Sequence, residues 1–270
     1  MTATTLTPSA ATATPAARRT HRPIPFTRLL SVEMRKMFDT RSGFWMLASV
    51  VAASVIASGA VLVFGSEADV TYANMSSAIG IPMAIILPVI AILSVTSEWS
   101  QRSGLTTFTL VPHRGRVLLA KGVNTVLVGA VAMVVAMLIG AASNLLGAAA
   151  YGIDPVWETN ATDLSHIVLA NVLGMSFGFM LGLLFRSSAG AIVGYFIYSF
   201  VVGNLLFLLA ETQEWYADIN RWVNFQYNQT YLFDQQLVAK DWAYLGVSSL
   251  IWLVVPLMIG ARLAMRSEVK

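Results

Sequence analysis

Hydrophobic runs alternate with short polar segments along almost the whole chain. The runs are Phe44 to Phe64, Ala78 to Thr96, Val117 to about Ala141, Ile167 to Phe185, Ala189 to Ala210 and Ala243 to Leu263. Each is close to the roughly 20 apolar residues that a helix needs to cross a bilayer. The pattern therefore predicts six membrane-spanning helices. Ahead of them, Phe26, Leu29, Leu30, Met34, Met37 and Phe38 recur at helical spacing, with Arg28, Arg35, Lys36 and Asp39 mostly on the opposite side. That is the pattern of an amphipathic helix lying along a membrane surface. Glu33 falls within its apolar arc, where a carboxylate is costly unless paired. Two readings stand for it: a local pair with Lys36 at i,i+3, or a contact with a neighbouring loop or a partner subunit.

The polar segments carry the asymmetry. Ser97 to Lys121 is the longest interruption holding several basic residues, and Glu211 to Asp241 is long and aromatic, with Trp215, Tyr216, Trp222, Phe225, Tyr227, Tyr231 and Phe233 among acids and amides. With the amino terminus inside, 15 of the 17 lysines and arginines fall on the cytoplasmic side and only Arg221 and Lys240 outside, as the positive-inside rule demands. Both termini are then expected to be cytoplasmic, the basic loop cytoplasmic and the aromatic segment external. Short outer helices are expected in that segment, dipping into or lying on the outer leaflet; it reads equally as a packed cap or as a substrate gate. Residues 1–25, rich in Ala, Thr and Pro, read as a disordered cytoplasmic tail, 26–42 as the amphipathic connecting helix, 43–266 as the six-span domain and 267–270 as a second tail.

Composition agrees with this class and narrows the chemistry. Hydrophobic residues make up 56% of the chain and charged ones 11%, with mean hydropathy +0.68, against about 25% charged in soluble domains. No room is left for a soluble catalytic domain. Cysteine is absent, which excludes thiolate metal sites. The basic residues are sorted by membrane side rather than gathered on a recognition element, which argues against nucleic acid. No Asp, Glu, Lys or Arg stands mid-span, and the three histidines, His21, His113 and His166, lie at or beyond span ends. Ion-coupled carriers generally need intramembrane ionisable groups, and intramembrane proteases need a nucleophile or metal set. The asparagines within runs, Asn144, Asn171 and Asn204, read as helix-to-helix hydrogen bonds. Gly174, Gly178 and Gly182, with Gly190 and Gly194, form small-residue faces for close helix packing, within one subunit or at a dimer seam. There is no P-loop signature. N-x-[ST] tripeptides at Asn74, Asn160 and Asn228 all fall on expected outer segments.

Together the connecting helix with Glu33, Lys36 and Arg41, the six spans, and the loop with Ser97-Glu98 followed by Arg102, Gly104, Pro112, Arg114, Gly115, Arg116 and Lys121 resemble the bacterial ABC-2 type permease family over residues 26–266. The resemblance implies an all-α membrane subunit of a type V ABC exporter in the bacterial plasma membrane. It implies a cytoplasmic coupling helix between spans 2 and 3, with Glu98, Arg102, Gly104, Pro112, Arg114 and Arg116 meeting a separate ABC ATPase subunit. It implies a second permease copy, as a homodimer or a related heterodimer, and ATP and Mg on the ATPase rather than on this chain. A hydrophobic or amphipathic cargo fits such an exporter. The competing class is a non-transport structural or sensory membrane subunit whose basic loop only solvates against headgroups.

Overall fold

The computed structural model describes residues 24–39, 41–100, 114–233 and 237–266. Besides a short 3-10 turn at Glu67–Asp69, nine helical segments organise them: α1 (Phe26–Phe38), α2 (Arg41–Phe64), α3 (Tyr72–Ser100), α4 (Arg114–Tyr151), α5 (Ala161–Phe185), α6 (Ser188–Thr212), α7 (Glu214–Val223), α8 (Phe225–Tyr231) and α9 (Ala239–Arg266). Six of these helices, α2 to α6 and α9, are long and apolar enough to cross a membrane, so the chain is an all-helical, multi-pass transmembrane protein. The only β pairing among the described residues is an isolated bridge between Thr71 and Val156. With the Tyr72 amide donating to Val156 O (3.1 Å) and Asn144 Nδ2 donating to the same carbonyl (3.0 Å), it joins the α2–α3 and α4–α5 connectors at one end of the bundle.

The helices run past the hydrophobic windows because nothing local stops them. α4 extends ten residues beyond Ala141 through helix-forming Ala148, Ala149 and Ala150, and stops at Gly152, whose φ of 69° ends a helix at little cost. α5 starts six residues earlier than expected, at an Asn160 cap. There Asn160 Oδ1 accepts from the Thr162 and Asp163 amides (2.8 and 3.0 Å), and the Asp163 carboxylate accepts from the Asn160 amide. Arg186, in the left-handed conformation at φ 52°, closes α5 before the Ser187 cap opens α6.

α5 is the most buried of the spans and α2 and α6 the least. Its small-residue ridge fits against α3: a Cβ on Gly178 would stand 2.5 Å from Pro88 O, and one on Gly182 would overlap Val95. Removing those Cβ atoms lets two backbones meet where hydrocarbon offers no other drive to association. Gly190 and Gly194 instead lie beside Phe185 at the α5–α6 turn, with ordinary room at Gly190. Pro88 cannot donate an amide to Ala84 O, four residues back. That carbonyl is taken by the Tyr195 hydroxyl of α6 at 2.5 Å, a neighbouring side chain repairing a helix broken inside lipid.

Candidate functional site

Two polar constructions stand out, one at each end of the bundle. At the first end α1 is held along the opening turns of α4. Glu33 is 3% exposed. Lys36 Nζ donates to its Oε1 (2.7 Å), and Lys121 Nζ of α4 lies 2.6 Å from Oε2. Lys121 is itself buried, whereas the Lys36 side chain is 42% exposed. Asn124 Nδ2 donates to Leu30 O (2.9 Å), and the Arg116 guanidinium donates to Ile24 O (3.0 Å). Three α4 residues thus hold the lead-in to α1 at Ile24 and its middle turns at Leu30 and Glu33. Met37 and Trp99 pack into the core cluster of α2, α3, α4 and α5 beside this clamp. Arg41 opens α2 and is exposed.

The structure brings together only part of the expected set. Glu33, Lys36 and Arg116 meet around α1 and α4. Glu98 lies in the last turn of α3 and Arg114 at the first residue of α4, but their side chains lie outside what the structure describes. Arg102, Gly104 and Pro112, and with them the expected coupling helix, fall on residues 101–113, also outside the described residues, as do residues 1–23 and 267–270 of the two tails. Lys121 closes the polar loop in the sequence; in the structure it stands seven residues into the span that begins at Gly115. The local pair with Lys36 is present, and the second carboxylate oxygen of Glu33 takes Lys121, a residue of the α4 span rather than of a loop or a partner subunit. Asn124 went unremarked in the sequence although it is the asparagine that crosses from α4 to α1. Asn171 and Asn204, read as helix-to-helix links, donate instead to carbonyls of their own helices, Ile167 O and Phe200 O, the cheapest partner for an amide in hydrocarbon.

At the opposite end α7 and α8 form a hairpin wedged among α5, α6 and α9. Phe225 is fully buried and stacks on Phe177, which packs on Tyr198, which in turn packs on Trp252. Gln226 Nε2 donates to Ser199 O of α6 (2.8 Å), Gln229 Nε2 to Ala170 O of α5 (2.8 Å), and Trp252 Nε1 of α9 to Val223 O (2.7 Å). Asn228 is 3% exposed and its Nδ2 is within bonding distance of Arg221 O, Tyr244 O and Ser248 Oγ. A side chain so engaged is no acceptor for a glycan in the folded protein, whatever its tripeptide. Arg221 pairs with Asp241 at the start of α9 (2.9 Å) and lies over the Tyr231 and Tyr244 rings at 4.4 and 4.7 Å. Trp215, Ile219 and Trp222 form the exposed stripe of α7, opposite the buried Tyr216 and Asn220. Among the described residues no group of His, Asp and Glu could hold a metal ion.

The fold defines a class, the multi-pass helical membrane protein. No family model and no curated protein matches the chain.

Proposed function

We propose that this chain is the permease subunit of an ATP-driven ABC transporter, exporting a hydrophobic or amphipathic substrate with energy from a separate ATPase subunit. The clamp at α1 supports the reading. The polar loop after α3 leads directly into the turns of α4 that hold α1 through Arg116, Lys121 and Asn124. A push on that loop is thereby passed to α1 and to the third span together, as coupling to a soluble motor requires. The ionisable residues stay near helix ends, Lys121 being neutralised by Glu33, so the work of transport is drawn from outside the membrane domain. In the proposed complex Glu98, Arg102, Arg114 and Arg116 face the ATPase, Gly104 and Pro112 shape the loop between them, and two permease copies assemble with two ATPases.

The test is reconstitution with the ATPase that copurifies with the chain. Glu98→Ala with Arg114→Ala is expected to leave expression and insertion intact. Each charge-assisted contact is worth about 1.5–3 kcal/mol, so docking should weaken at least about tenfold, with ATP hydrolysis and export falling together. Failure of any ATPase to copurify, or unchanged stimulation in the double variant, favours the structural or sensory membrane subunit instead.

A further inference from the structure

Two spans contain one wide turn each: Ile197–Val202 in α6 and Leu250–Val254 in α9 are π-helical. A π turn inserts one extra residue, steps past one carbonyl, and in α-helices commonly marks a functional position. Their causes differ. In α9 the Val255 amide bonds five residues back to Leu250 O, and the next residue, Pro256, has no amide to give. The wide turn is written into that helix. In α6 the Gly203 amide bonds five residues back to Tyr198 O, and no proline follows. The next carbonyl of the wide turn, that of Ser199, takes a bond from outside the helix, from Gln226 of the hairpin.

The space for that side chain comes from Gly203, where a Cβ would overlap Gln226 Oε1 and stand 2.7 Å from its Cδ. The same device recurs one helical turn along α8. Gln229 donates to Ala170 O, and a Cβ on Gly174 would stand 2.9 Å from its Nε2. In both cases a glutamine enters beside a glycine and takes the carbonyl four residues before it. Only at α6 does the carbonyl belong to a wide turn.

We propose that the α7–α8 hairpin is a latch that sets the rotational register of α6: Gln226 holds the π turn open, and its withdrawal lets the turn close to α-helix. Closing it removes one residue from the turn, so Gly203 to Thr212 rotate by about 100° relative to Ser188 to Phe196, the angle between successive residues of an α-helix. α6 is the least buried span, so the rotation changes which residues, Leu205 and Leu208 among them, face the surroundings. The fixed turn in α9 serves as the stationary reference. The inference needs only the six-helix membrane fold and stands apart from ATP-driven transport.

The absence of cysteine allows a direct test. Single cysteines are introduced along 188–212 and 239–266, spin-labelled, and their collision with oxygen measured in lipid nanodiscs. The wild-type scan of α6 is expected to show its exposure pattern stepping by about 100° between the segments before and after the wide turn. Gln226→Met, which keeps the length but loses the donor, and Gly203→Ala, which expels the side chain, should each abolish the step in α6 and leave that in α9. A wild-type scan with no step, or a step in α6 that survives in either inserted, monodisperse variant, overturns the proposal.

Discussion

Lys36 and Lys121 share one carboxylate but not one environment. The Lys36 pair lies along the exposed side of α1, where an ion pair is worth about 0–1 kcal/mol. Lys121 and Glu33 are both buried, and removing one partner of a buried pair typically costs about 3–5 kcal/mol because the other charge is stranded. Lys121→Ala is therefore expected to lower the unfolding midpoint clearly in detergent, Lys36→Ala barely. Glu33→Gln combined with Lys121→Met should recover most of the loss. Equal effects of the two single substitutions would contradict the geometry. Asp69 makes a second prediction at this scale. The Ser66 amide and hydroxyl both donate to it (2.8 Å each) and hold its carboxyl below the usual carboxylate range. A depressed folded-state pKa stabilises the connector at neutral pH, and that stabilisation is lost as pH falls below the ordinary value of 3.8 through the lower folded one. Loss of the Ser66 amide's protection on acidification, measured as its exchange relative to the intrinsic rate at each pH and absent in Asp69→Asn, is the expected signature.

Helices are the scale at which the sequence was most readable and also where it misled. Six runs give six helices because length and apolarity alone decide that question in lipid. Their ends were less visible. A hydropathy window cannot tell a crossing from a helix continuing beyond it, so α4 gained its last ten residues unseen, although Gly152 was there to mark the stop. Lys121 looked like loop because charge outweighs periodicity in such a reading; its partner Glu33 is 88 positions away in the chain, and no local pattern joins them. The glutamines of the hairpin carry no motif at all, since each acts by reaching a carbonyl on another helix. The glycine ridge offers a test of packing. Gly178→Ala should separate α3 from α5, at a typical overpacking cost of about 1–3 kcal/mol. Gly190→Ala, with only ordinary contacts around its Cβ, should stay within about 0.5 kcal/mol of wild type. Thermal unfolding of the two variants side by side decides between a ridge used within one subunit and a seam between copies.

For the whole molecule the expectation is a sidedness. Asp154, exposed in the α4–α5 connector, and Lys270 should lie on opposite faces of the membrane. Asp154→Cys in intact cells is expected to react with a membrane-impermeant maleimide, and Lys270→Cys only after permeabilisation. Labelling of both from one side would remove the inside–outside assignment on which the proposed docking of the loop on an ATPase depends.

The bond from Tyr195 to Ala84 O bears on how the chain is made. Synthesis runs from the amino terminus, so α3 reaches the bilayer with the Pro88 gap before Tyr195 has been polymerised. Over that interval a carbonyl at the middle of the third helical segment has no partner from its own helix, and hydrocarbon supplies none. The Ala84 carbonyl of the early half thus waits for its partner until Tyr195 of the late half has been made.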